Sequence, residues 1–371
     1  MTDDLRPMQV LGGPYAHCFD ADDGRPQEGL MTTYRLSIAG AACAFLLAGT
    51  ALAETVYSPP RTPDGKPDLQ GVFTNASLTT LERPARFPSS VLSKEEAARM
   101  EAARARMMAA SNQPTRPDEG APTDGNANAG YNTFWMDPGS RYGVVRGETR
   151  SSWIIDPPDG RIPYSDTGRE RFLNRLSMVR QTFDGPEIRP QGERCIVGFG
   201  STAGPPMINV LYNNHYQIVQ TSEHVVIMAE MINDARIIPV GKQRSGPLFD
   251  KWLGNSFGWW DGDTLVVETT GFHPDIRVRP NMSDSFYVGE NPTVVERFTR
   301  VSPDEILYEF TVSDKDAFTQ PWRGEMTLSR ARGPIYEYAC HEGNYALPGI
   351  LAGARSDDRR GVRTVVGSDA E

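Results

Sequence analysis

Thr293-Val294-Val295-Glu296-Arg297-Phe298-Thr299-Arg300-Val301 runs into Pro303-Asp304 and then Glu305-Ile306-Leu307-Tyr308-Glu309-Phe310-Thr311-Val312. The period of two in this stretch decides the fold. In the second run Ile306, Tyr308, Phe310 and Val312 share one face, while Glu305, Glu309 and Thr311 share the other. That alternation marks a strand with one buried side, and Pro303-Asp304 is a turn between two such strands. The same pattern extends in both directions. Residues 214–221 and 224–231 read as paired strands around Ser222-Glu223, followed by a strand at 235–240. Residues 257–260 and 264–270 flank Asp261-Gly262, a favoured two-residue hairpin turn. Residues 322–330 and 334–340 flank Arg332-Gly333. Short strands at close spacing with tight turns predict a mainly β fold, an antiparallel up-and-down meander closed as a barrel or folded as a sandwich. Closure also removes the edges that so many strands would otherwise present.

Upstream, the character changes. Residues 54–70 are rich in proline, with Ser58-Pro59-Pro60-Arg61-Thr62-Pro63-Asp64-Gly65-Lys66-Pro67. Such a run suits neither helix nor central strand and predicts a strap over the surface, with a first short strand at 68–73. Ser93 and Glu96 form a capping box ahead of a helix over 94–110, a stretch of Ala, Glu, Arg and Met. Residues 111–130 are polar and read as a loop. A strand at 151–155 stops at Asp156-Pro157-Pro158-Asp159-Gly160, and a second helix is expected at 167–180. The expected organisation is a strap and helical covering segment over 54–204, an antiparallel β core over 205–354, and a charged, frayed tail over 355–371.

The N-terminus reads as an export signal. Arg35 supplies the positive charge, Leu36 to Gly49 the apolar stretch, and Ala51-Leu52-Ala53 the small-residue cleavage pattern. The stretch is too short to span a membrane, which takes about 20 residues. The mature chain is expected to begin at Glu54, in the periplasm or outside the cell, with Met31 as the start and the acidic residues 1–30 upstream of it. The net charge of −10 argues against nucleic acid as a partner. Past the signal only Cys195 and Cys340 remain, and two cysteines in an oxidising compartment predict one disulfide between them.

For chemistry, Glu230 stands out. It lies in the strand Val225-Val226-Ile227-Met228-Ala229-Glu230-Met231-Ile232, sharing a face with Val226 and Met228 by periodicity. A carboxylate in a dry wall has a raised pKa, as a general acid or base requires near neutral pH; a structural salt bridge is the alternative. His215 begins the preceding strand and in a hairpin lies across from Glu230, so it is the expected proton-transfer partner. Asp234 and Arg236 flank the start of the next strand on one face, where they can hold a polar ligand group or each other. Tyr216, Trp260 and His341 complete the candidate ligand contacts. There is no nucleophile elbow, phosphate loop, dinucleotide fingerprint or His-Glu-x-x-His pair, so neither a cofactor nor a metal is expected.

Pro63-Asp64-Gly65-Lys66-Pro67-Asp68-Leu69-Gln70-Gly71-Val72, Asp156-Pro157-Pro158-Asp159-Gly160-Arg161-Ile162-Pro163-Tyr164, Trp260-Asp261-Gly262-Asp263-Thr264-Leu265-Val266-Val267 and Tyr338-Ala339-Cys340-His341-Glu342-Gly343-Asn344-Tyr345 together resemble a family of exported bacterial proteins mostly lacking an assigned function. Asn233 stands where that family suggests histidine. Gly71-Val72-Phe73 is similar to the Gly-x-Trp opening of lipocalin-like barrels, with Phe in place of Trp. The second resemblance implies a barrel that binds a small apolar molecule or hydrates or isomerises one. Two functions are therefore expected of a small-molecule partner: cofactor-independent acid/base catalysis (lyase, hydratase, isomerase or hydrolase) in a barrel cavity, or carriage of an apolar or glycosidic ligand. A structural envelope protein with a filled barrel is the third reading.

Overall fold

The hairpin read from residues 293–312 forms as expected. In a computed structural model, the described residues are 57–111, 136–181, 183–241, 249–276, 278–280 and 285–361. The stretch read as an export signal, most of the 111–130 segment, Trp135 and the last ten residues lie outside that set. In chain order the strands are β1 (Gly71–Thr74), β2 (Val91–Leu92), β3 (Val144–Val145), β4 (Glu148–Arg150), β5 (Ile154–Asp156), β6 (His215–Gln220), β7 (His224–Ala229), β8 (Ala235–Pro239), β9 (Asn255–Asp261), β10 (Thr264–Thr270), β11 (Val278–Pro280), β12 (Ser285–Tyr287), β13 (Thr293–Ser302), β14 (Glu305–Ser313) and β15 (Trp322–Arg330). The helices are α1 (Lys94–Ser111), α2 (Asp166–Gln181) and α3 (Ala346–Arg359).

The main sheet is ordered β8-β7-β6-β1-β15-β14-β13-β10-β9, with β5 added against β15. All successive neighbours are antiparallel. The expected strand at 334–340 is absent: those residues run as coil. Its place beside β15 is taken by β1, which pairs β15 on one side and β6 on the other. The short opening strand thus lies in the same sheet as the strands that follow residue 205. The charged tail is also ordered further than expected, because α3 reaches Arg359.

An odd number of strands cannot close with every neighbour antiparallel. Nine strands lie on the ring path, and the geometry places one parallel junction between β8 and β9. There the two meet only at a parallel bridge between Val240 and Gly258, with Gly241 N–H donating to the Gly258 carbonyl at 3.0 Å. The barrel is therefore nearly closed, with one weak seam.

The core follows the alternation. Ile306, Tyr308, Phe310 and Val312 of β14 point inward beside Val294 and Phe298 of β13, all essentially without exposed surface. Trp322 stacks edge-on against Phe310 and Phe286. Gly324 leaves room for this packing: a Cβ there would lie 2.3 Å from the Phe310 ring. The β9–β10 turn is shifted by one residue from expectation. Asp261 pairs with Thr264, so Gly262-Asp263 forms the turn, with Gly262 at φ +60°.

The covering elements form where expected. Ser93 Oγ accepts from Glu96 N–H at 3.1 Å and caps α1. Ser165 Oγ does the same for Gly168 N–H at 3.0 Å at the start of α2. The proline-rich strap is irregular and tied to the barrel through Gln220, whose Nε2 donates to the Pro67 carbonyl. Cys195 and Cys340 are bridged, 145 residues apart. Among the described residues no helix is long and apolar enough to cross a membrane.

Candidate functional site

Two groups of polar side chains stand out, and they lie on opposite sides of the barrel wall. The first is the expected couple. β6 and β7 pair with Tyr216 opposite Ala229, and the next pair along is His215 with Glu230, whose N–H donates to the His215 carbonyl at 2.9 Å. Tyr216 and Ala229 face the core, so His215 and Glu230 sit on the other side. His215 Nδ1 and Glu230 Oε2 are 2.8 Å apart. The Glu230 side chain is nonetheless closed off from solvent, because the coil after β15 crosses over it. Tyr336 N–H donates to Oε1 at 3.2 Å.

This corrects the expectation for Glu230. It has left β7 and begins a short turn, and the buried face of β7 is Val225, Ile227 and Ala229 rather than Val226 and Met228. The turn that follows is strained, with Ile232 at φ +65° and Asn233 at φ +53°. A β-branched residue there is a costly conformation, and the bonds to Glu230 help to hold it.

Electrostatics fit a locked pair. The hydrogen bond to Glu230 raises the His215 pKa against the opposing effect of burial, with the charges of Glu230 and Asp137 adding to the rise. Burial pushes the Glu230 carboxyl up, but hydrogen bonds from His215, the Tyr336 N–H and Asn213 outweigh it and leave it lowered. The stabilising contribution of Glu230 is thus present above the ordinary value of 4.5 and lost as pH falls through the lowered one. That of His215 is present below 6.5 and lost as pH rises through the raised value. The stability difference between wild type and Glu230→Gln should accordingly peak between pH 4.5 and 6.5. Urea unfolding across pH 4 to 9 measures it, and a flat difference would remove the proton linkage.

The second group is inside. Arg236 of β8 points inward and is 4% exposed. Its ion partner is not Asp234, as the Asp-x-Arg spacing suggests, but Glu296 of β13: Nη1 and Oε2 are 2.9 Å apart. Tyr308 donates to the other Glu296 oxygen at 2.7 Å and accepts from Met207 N–H at 2.9 Å. Arg279 of β11 lies close enough to feel the charges of Arg236 and Glu296. Burial first, then the charge of Arg236, lowers its pKa to about 10. Its Nε donates to the Ile276 carbonyl, and Nη1 to Ser201 Oγ and the Pro205 carbonyl. No hydrogen-bond acceptor reaches Arg279 Nη2 among the described residues, and the Arg236–Glu296 contact is a charge contact rather than an aligned hydrogen bond. Tyr216 is also inside, its hydroxyl accepting from Asn75 Nδ2 at 3.1 Å, and burial drives its pKa up.

Cavities border this interior group. One of about 440 Å³ is walled by α2, the 187–200 loop and the 274–279 stretch, and includes Arg279. Another, of about 650 Å³, opens at the seam where β8 and β9 diverge, and includes Arg236 and Asp234. Burial raises the Asp234 carboxyl. Trp260 packs against the core and borders a third recess with Trp259. His341 is exposed in the turn after the disulfide. Neither His215 nor Glu230 lines any of these spaces. Among the described residues no three His, Cys, Asp or Glu side chains gather as a metal site would require.

Glu296 and Arg279 were not among the expected site residues. Glu296 is readable in retrospect: it alternates with Val294 and Phe298, so it had to point inward. Arg279 sits in a three-residue strand with no periodicity to reveal it. Compared with protein families, curated proteins and solved structures, the chain matches none. The site is read from its own chemistry.

Proposed function

We propose that this is an exported small-molecule binding protein, whose ligand occupies the cavity walled by α2, the 187–200 loop and the 274–279 stretch. The cavity carries the reading. Its volume of about 440 Å³ lies within the range of small-molecule sites, as does its apolar lining with a few polar groups at fixed positions. Leu176, Val197, Phe199, Ile276 and Val278 supply apolar wall, and Gln191 and Arg279 supply polar atoms. The disulfide fits the oxidising compartment that the N-terminal signal implies. Titration with the neutral fluorescent dye N-phenyl-1-naphthylamine tests the proposal. Saturable one-to-one binding to the chain from Glu54, lost in Leu176→Trp, is the expected result. A chain that gives no saturable signal overturns it.

A second reading, acid/base catalysis, rests on the His215–Glu230 couple. A buried carboxylate holding Nδ1 is how an imidazole is oriented for proton transfer, and the His215 side chain retains 31% exposure. In this reading His215 carries the proton and Glu230 orients it, the reverse of the roles that strand periodicity suggests. Turnover of small hydratable, isomerisable or hydrolysable substrates that disappears in His215→Asn would support it. Turnover that persists in that variant would remove the couple from catalysis.

A further inference from the structure

The cavity has an unusual polar end. Arg279 is 2% exposed. Two of its nitrogens are pinned, Nε by the Ile276 carbonyl at 3.1 Å and Nη1 by Ser201 Oγ at 3.1 Å and the Pro205 carbonyl at 2.5 Å. These bonds fix the plane of the guanidinium, which also lies over the Phe272 ring at 5.4 Å. The third nitrogen, Nη2, is shut off from solvent and has no acceptor among the described residues.

Charge is unbalanced as well. Among the described residues, the acceptors of Arg279 are neutral carbonyls and a hydroxyl. The carboxylate whose field it feels, Glu296, is in contact with Arg236. Among the described residues, two buried guanidiniums therefore face one buried carboxylate. A buried charge without a counter-charge is expensive, and a buried donor without an acceptor adds to the cost. The other charged groups of the cavity differ in kind: Glu187 and Asp275 are exposed and Arg175 is half-buried, where water and salt screen them. The positive charge at the buried end is the unscreened one.

Resting on the binding reading above, we infer that the ligand is an organic anion, in its simplest form a monocarboxylate with an apolar tail. Its head lies at the Arg279 end of the cavity, and its tail lies along Leu176, Val197 and Val278. A guanidinium held in plane by its other bonds gives that head a fixed positive charge to meet. The head group neutralises the excess charge, and the tail length is bounded by the cavity.

Displacement of bound N-phenyl-1-naphthylamine from the oxidised chain tests the inference without any variant. Octanoate and octan-1-ol share a tail and differ in charge. Octanoate is expected to displace the dye at a concentration at least roughly tenfold lower, the scale of one charged hydrogen bond. Equal displacement by the two overturns the anion assignment and leaves the binding reading intact. A chain that does not bind the dye at all overturns both. Arg279→Gln localises the effect: if it folds, the preference for octanoate should fall close to one while octan-1-ol competes as before. An undiminished preference in that variant would remove Arg279 from the site.

Discussion

Glu296→Leu should lower the unfolding free energy by about 3–5 kcal/mol, the scale for removing one partner of a buried ion pair. Glu296 has no exposed surface. It is the contact partner of Arg236 at 2.9 Å and the acceptor of the Tyr308 hydroxyl at 2.7 Å. Without it, Arg236 and Arg279 lose the buried carboxylate whose charge they share, and Tyr308 loses an acceptor. Urea unfolding at pH 7 measures the change, with an unaltered slope showing that stability alone has moved. Adding Arg236→Met to Glu296→Leu should recover most of the loss, because apolar side chains of similar volume replace a buried pair at little cost. A single variant within about 1 kcal/mol of wild type would show that the carboxylate does little for the interior.

Loss of the Cys195–Cys340 bridge is the second large effect. The bridge closes a separation of 145 residues, for which the chain-entropy account gives roughly 4–5 kcal/mol. The native side adds further consequences. Past Tyr336, which donates to Glu230, the coil is held by Cys340 and by Asn344, whose Nδ2 donates to the Glu193 carbonyl at 2.7 Å. A Cys195→Ala, Cys340→Ala double variant should unfold at a lower urea midpoint than the oxidised chain, matching wild type held in reductant. It should also show faster amide exchange at Tyr336. An unchanged midpoint would contradict the loop-closure argument, and unchanged exchange would show that the Glu230 contact anchors the coil by itself.

How much of this was legible beforehand differs from element to element. The β14 alternation placed Ile306, Tyr308, Phe310 and Val312 inward, and they are inward. Ser93 marks the first covering helix at its first turn, whereas the Ser165 cap of the second emerges only from the structure. The 334–340 stretch misled, because Arg332-Gly333 looks like a hairpin turn. Its residues instead cross to the disulfide, and β1, only four residues long, pairs with β15 in their place. Local pattern carries no information about which distant strand competes better for an edge.

The candidate site shows the same division. The pairing of His215 with Glu230 follows from hairpin register, which turn length and alternation specify over a few residues. Which side of the wall the pair occupies does not follow, since the strand Val225–Ala229 is apolar on both faces. Only the crossing coil explains how a carboxylate can be closed off on the outer side. Arg236 was singled out from its neighbour Asp234, yet its partner comes from β13, sixty residues on.

The sequence by itself determined the mainly β class, the inward face of β14, the cap of α1 and the single disulfide. Each rests on residue types at short spacing, or on a count that leaves one pairing. Only the tertiary structure decided the seam between β8 and β9, the position of β1, the inner cluster of Arg236, Arg279 and Glu296, and the cavity beside it. Those depend on how many strands close the ring and on side chains far apart in the chain meeting in a low-dielectric interior, where a charge must find its partner wherever the fold supplies one.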